Sequence, residues 1–213
     1  TLRWKFFGRP FIRMRCVPHV AHGRRTESDS TAMRAAPVLP ARGMKHIAVD
    51  RFARAADSID AAVDALDNGE VVGMFPEGTI SRSFVPRAGK TGAARMAMAA
   101  GAPLIPCATW GTQRILTKDR PKNFERKLAI DVYVGETIDY RENDDPIEVT
   151  ARLMDAIGIL VEKAQGNYPQ QPRPGDEWWL PAHMGGAAPT VAAADALADR
   201  DRAERAARRA KEG

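Results

Sequence analysis

The chain is 213 residues long, with 32 Lys and Arg against 27 Asp and Glu and a formal net charge of +5. At 44% hydrophobic and 28% charged residues, it can bury a sizeable core, which excludes a wholly disordered or collagen-like polymer and suits one domain of roughly 150 to 200 residues plus an appendage. Cys16 and Cys107 are too few and too far apart for a disulfide framework, no Cys/His group has zinc-ligand spacing, and no run of about 18 apolar residues would span a bilayer.

Residues 1–41 mix Arg with Pro, Ser and Thr and lose apolar periodicity after Ile12, so they are expected to form a basic, irregular lead-in. At His46-Ile47-Ala48-Val49-Asp50 the residues alternate, which predicts a short strand. Ala55, Ile59, Ala62, Val63 and Leu66 then recur at helical spacing. Asp57, Asp60, Asp64 and Asp67 take the other face and Gly69 follows as a stop. The apolar run Glu70 to Phe75, bounded by Gly69 and Pro76, predicts a buried parallel strand. Thr91–Ala100 predicts a second helix, Leu104–Trp110 a strand, Leu128–Val134 another, and Pro146–Ala164 a long helix with Ile147, Leu153, Ile157, Leu160 and Val161 on its apolar side. This alternation implies an α/β fold, a mostly parallel sheet flanked by helices. Trp178-Trp179 is expected to pack back onto the domain. Residues 191–213, rich in Ala and mixed charge, are expected to be a solvated helical or disordered tail without nucleic-acid binding.

Chemistry concentrates in Phe75-Pro76-Glu77-Gly78-Thr79-Ile80-Ser81-Arg82-Ser83, directly after a predicted strand, where open α/β sheets place their ligands. Gly78 lets backbone approach a ligand, while Thr79, Ser81 and Arg82 can hold a phosphate and Glu77 can accept a hydroxyl. The same residues also fit a polar loop in which Glu77 bonds backbone. A second charged stretch, Arg114 to Lys127, suits either anionic headgroups or a solvated loop.

Phe-Pro-Glu-Gly-Thr resembles the Glu-Gly-Thr-Arg-Ser block of the glycerophospholipid acyltransferases, the 1-acylglycerol-3-phosphate acyltransferase family. Val49-Asp50-Arg51 resembles the block upstream of it and Ala102-Pro103-Leu104-Ile105-Pro106 the Val-Pro-Ile-Val-Pro block, in the family's order and spacing. Lys90-Thr91-Gly92-Ala93-Ala94-Arg95, Trp110-Gly111-Thr112-Gln113-Arg114 and the Trp178 to His183 segment look like an actinobacterial branch. The resemblance covers residues 42–190 and implies one acyltransferase-like domain. It implies transfer of a fatty acyl group from acyl-CoA or an acyl carrier protein to lysophosphatidic acid or a similar lysophospholipid acceptor, in phospholipid synthesis. Arg51 and Arg82 would bind phosphate, with Lys90 a further cation there. Glu77 would take acceptor hydroxyls, while Gly78 and Thr79 shape the loop. No metal or cofactor beyond the thioester co-substrate is required, and a cytoplasmic, peripheral position at the inner membrane face is implied.

Two departures stand out. Ile80 occupies the position of the motif's Arg. The family's His-x4-Asp, whose His removes the acceptor's proton, has as its only counterpart His22 with Glu27. His22 is therefore the candidate base, and the alternative is a catalytically inactive lysophospholipid-binding remnant. The match stops near Arg42, which suggests truncation, internal deletion or a reading-frame error in residues 1–41.

Overall fold

The computed structural model describes residues 14–16, 55–123 and 125–212. In chain order these form β1 (Met14–Cys16), α1 (Ala55–Asp67), β2 (Val71–Gly73), α2 (Gly92–Ala100), β3 (Cys107–Trp110), β4 (Asp131–Val134), α3 (Pro146–Gly166) and α4 (Val191–Glu212). The strand expected at residues 46–50 lies outside the described residues. Two compact units emerge: one holds β1, α1, β2 and α2, the other the loop 77–91 and everything from residue 103 onward.

In the first unit β1 pairs with β2 in parallel, Arg15 opposite Val72. Three residues of the lead-in expected to be irregular thus form a strand. Ala62 and Ala65 of α1 and Met96 of α2 are buried together, with Ile59, Leu66, Val72 and Met74 packed around them. The small alanines let the helices approach closely, and Asp60, Asp64 and Asp67 stay exposed, as the spacing requires. Gly69 ends α1 at φ 73°, a conformation only glycine adopts without cost, and Glu70 N–H closes the helix by donating to the Ala65 carbonyl at 2.9 Å.

In the second unit β3 pairs with β4 antiparallel, Ala108 opposite Tyr133. The α/β class holds, but this pair departs from the parallel arrangement expected. Between Trp110 and Asp131 the described residues make only a 3-10 turn, Thr112–Arg114, and loops. Without a crossover helix the chain returns in the opposite direction. Alternation buries Ala108 and Trp110 and leaves Val132 and Val134 exposed. Asp145 caps α3 by accepting from Ile147 N–H at 2.8 Å, and Pro146 occupies the first turn, where no donor is needed.

The core of this unit is Trp110, Ala164, Tyr168 and Trp179. Trp179 is fully buried, edge-on to Tyr168 with ring centroids 5.7 Å apart, so the Trp pair does pack back onto the domain. Arg114 lies 4.5 Å over the Trp179 ring and donates to Gln170 at 2.6 Å. That places the first residue of the charged 114–127 stretch in the core. Gly111, at φ 94°, passes so close to the Ala129 carbonyl that a side chain there would collide with backbone. His183 sits exposed in the turn Ala182–Met184.

Candidate functional site: the loop after β2

The loop that leaves β2 belongs to the second unit from Glu77 onward. Glu77 is half-buried, and its Oε2 accepts a hydrogen bond from Arg87 N–H at 3.1 Å, which closes the loop on itself. Burial pushes its carboxyl above the usual range, partly offset by that N–H and by the Arg87 charge. The backbone-bonding role open to Glu77 in the sequence is thus realised by one of its oxygens. Gly78 adopts φ 63°, and a Cβ there would lie 3.3 Å from Lys90 Nζ. Lys90 therefore reaches back over Gly78, bringing an ammonium to the backbone of the motif.

Thr79 Oγ1 accepts from Lys118 Nζ at 2.8 Å. Ser81 donates to the Val85 carbonyl at 2.8 Å and meets the buried Ser83 hydroxyl at 3.0 Å. These bonds hold the loop internally and leave Ile80 45% exposed. Phe84 sits at φ 56°, a strained position for a bulky residue, costing about 1–3 kcal/mol, and its packing against the Trp179 core holds it there.

Arg82 is only 10% exposed, and carboxylates engage it on two sides. Its Nε and Nη2 pair with Asp119, Nη2 donating at 3.1 Å, and its Nη1 donates to Asp201 of α4 at 3.0 Å. These bonds hold the Asp119 carboxyl below its ordinary range. Arg87 pairs with Asp195 of α4 at 2.6 Å. The tail expected to be solvated is a helix with Ala194 buried, and Leu197, Ala198 and Asp201 follow at helical spacing on its less exposed side. A phosphate approaching Arg82 meets two resident carboxylates.

Beside Arg82 opens a cavity of about 200 Å³ lined by Phe84, Lys118, Arg120, Trp178 and Ala188. The guanidinium of Arg120 lies 4.3 Å over the Trp178 ring. Of the residues singled out in the sequence, Glu77, Gly78, Thr79, Arg82 and Lys90 share this one loop. Arg51 and His22 lie outside the described residues. Lys118, Asp119, Asp195 and Asp201 were missed, although Lys118 falls in the charged stretch that the sequence marks. Among the described residues no three His, Cys, Asp or Glu side chains group to hold a metal ion, and no helix is long and apolar enough to cross a membrane.

The sequence from residue 38 to residue 110, which carries β2, the Glu77 loop and β3, matches the Acyltransferase family model. That stretch of the chain is similar to the acyltransferase family. Among solved structures, the chain resembles the 1-acyl-sn-glycerophosphate (LPA) acyltransferase PlsC from Thermotoga maritima, with a TM-score of 0.52 at 20% identity. The likeness covers 65% of this chain and 56% of that one, so the chain spans just over half of the solved protein, and at that identity the likeness is one of fold. No curated protein matches the sequence.

Proposed function

We propose that this protein transfers a fatty acyl group from a thioester, acyl-CoA or acyl carrier protein, to a hydroxyl of lysophosphatidic acid or a similar glycerophosphate acceptor. The observation that carries this is the Glu77-Gly78-Thr79 loop. It lies inside the family-matched segment and combines a carboxylate with an ammonium at either side, Lys90 over Gly78 and Lys118 on Thr79. Such a loop suits an acceptor that is both hydroxylated and phosphorylated: Glu77 takes a hydroxyl and the cations take the phosphate. The name of the Thermotoga maritima protein points to the same acceptor class.

In the reaction the acceptor oxygen attacks the thioester carbonyl carbon, the C–S bond breaks, and the proton of the hydroxyl ends on the departing thiol. An alcohol is a weak nucleophile at its own pKa, and a positioned base contributes about 10² to 10⁴ in rate. His22, with Glu27 to orient it, is the residue proposed for that task. Arg51 is proposed as a further phosphate ligand. The partners are then the thioester donor and the anionic face of the cytoplasmic membrane, with the protein peripheral to it.

The test supplies the chain with long-chain acyl-CoA and, in parallel, lysophosphatidic acid or the corresponding monoacylglycerol, and identifies the products by mass. Phosphatidic acid formed only from the phosphorylated acceptor is the expected result. Equal acylation of both acceptors contradicts the acceptor assignment, and binding of lysophosphatidic acid without product favours a binding protein that lacks its base.

A further inference from the structure

The cavity beside Arg82 collects more positive than negative charge. Arg82, Lys118 and Arg120 line it, and Arg200 and Arg205 of α4 are close enough to act on Asp119 and Lys118 respectively. Against these five cations stand Asp119 and Asp201, both already committed to Arg82, and Glu204, which pairs with Arg200 at 3.6 Å. Lys118 is both part-buried and exposed to this imbalance. Burial and then the Arg82 charge lower its pKa, and the facing Asp201 and Asp119 compensate only in part. A lysine so placed gains when an anion arrives. Its Nζ already touches Thr79 Oγ1, next to the exposed Ile80, so an anion held by Lys118 sits at the Glu77 loop. Trp178, with the Arg120 guanidinium 4.3 Å above its ring, gives the cavity an apolar wall.

We propose that this cavity is a phosphate-ester seat, with Lys118 as its principal ligand, Arg120 as its second, and Asp201 as the resident carboxylate that the phosphate displaces from Arg82. Lys118, Arg120 and Asp201 all lie beyond residue 110, outside the family-matched segment. The seat rests on the acyl-transfer reading only for the source of the ester: the glycerophosphate of the acceptor, or a phosphate of a CoA-type donor. Because Asp201 competes with the ligand, its removal strengthens binding while removal of Lys118 weakens it. A pair of merely structural roles would not give opposite signs.

The experiment is calorimetric titration of the full chain, in phosphate-free buffer, with glycerol 3-phosphate, with CoA and with dephospho-CoA. Saturable binding is expected for glycerol 3-phosphate if the acceptor is the source, or for CoA over dephospho-CoA if the donor is. Lys118→Met should weaken it about ten- to a hundredfold, the loss of one charge-assisted hydrogen bond, whereas Lys118→Arg keeps most of it and Asp201→Asn tightens it. Should Lys118→Met fail to fold by circular dichroism, Arg120→Met replaces it with a loss in the same direction. No saturable binding by the unaltered chain, or equal affinity in the folded Lys118→Met or Arg120→Met protein, overturns the seat. Failure of acyl transfer with this binding intact removes the enzymatic reading and leaves the seat; turnover with Lys118-independent binding does the reverse.

Discussion

Arg82 Nη1 donates to Asp201 Oδ2 at 3.0 Å, tying the Glu77 loop to a helix 119 residues further along the chain. On its other side Arg82 is held by Asp119. One guanidinium therefore joins three stretches of chain, and the charges that hold the loop in shape are those that the proposed phosphate would rearrange.

That arrangement has a definite pH signature. Hydrogen bonds from Arg82 hold the Asp119 carboxyl below its ordinary 3.8. A depressed carboxylate pKa contributes stability that is complete above the unfolded value and disappears as pH falls through the lower folded value. Urea midpoints of the parent and of Asp119→Asn should differ at pH 6, with the variant less stable, and converge toward pH 3. A gap that stays constant to pH 3 would show that the pair adds nothing through its charge.

Glu77 behaves in the opposite sense. Its carboxyl is raised above 4.5, chiefly by burial, so ionisation costs stability, and that cost grows as pH rises from 4.5 through the folded pKa. Glu77→Gln, which can still accept from Arg87 N–H, should be at least as stable as the parent at pH 7, with the difference vanishing below pH 4.5. Acyl transfer should fall about tenfold or more in the same variant, because the carboxylate proposed to take the acceptor hydroxyl is gone. Thermal melts at pH 4 and pH 7 beside the activity assay separate the two effects.

Gly78→Ala should cost about 1–2 kcal/mol from its positive φ alone. The nearest atom to the new methyl is the far end of Lys90, which can move aside, so the protein folds. Displacing Lys90 removes an ammonium from the loop, and ligand affinity should drop more than stability does. Urea melts paired with glycerol 3-phosphate titration would show it; equal affinity in the folded variant would mean that Lys90 plays no part.

Trp179→Ala removes the largest fully buried side chain of the second unit. A loss of about 3–5 kcal/mol is expected from the cavity alone, and the Arg114 guanidinium loses the ring beneath it. Chemical denaturation that shows less than about 1 kcal/mol of change would contradict the burial of Trp179 against Tyr168.

The elements that local pattern encodes were legible. Ala62, Leu66 and their neighbours mark α1, Gly69 its end, and Asp145-Pro146 the start of α3. β1 escaped because three residues around Arg15 carry no alternation of their own, and their strand character comes from pairing with Val71–Gly73. The antiparallel return of β4 depended on what the chain does between Trp110 and Asp131. The Glu77 loop was recognisable from composition and position, but its partners were not. Lys118 meets Thr79 across 39 residues and Asp201 meets Arg82 across 119, and charges that look solvated in sequence find each other only after folding. Ile80 marked a missing cation without showing that Lys118 reaches the adjacent residue.

In the proposed function the chain moves an acyl group from a thioester to a phosphorylated acceptor. This is tested most directly by following thiol release from long-chain acyl-CoA, with and without lysophosphatidic acid, in the parent, His22→Ala and Glu77→Ala proteins. Acceptor-dependent thiol release that falls in both variants is the result predicted. Thiol release that ignores the acceptor, or none at all from folded parent protein, contradicts it.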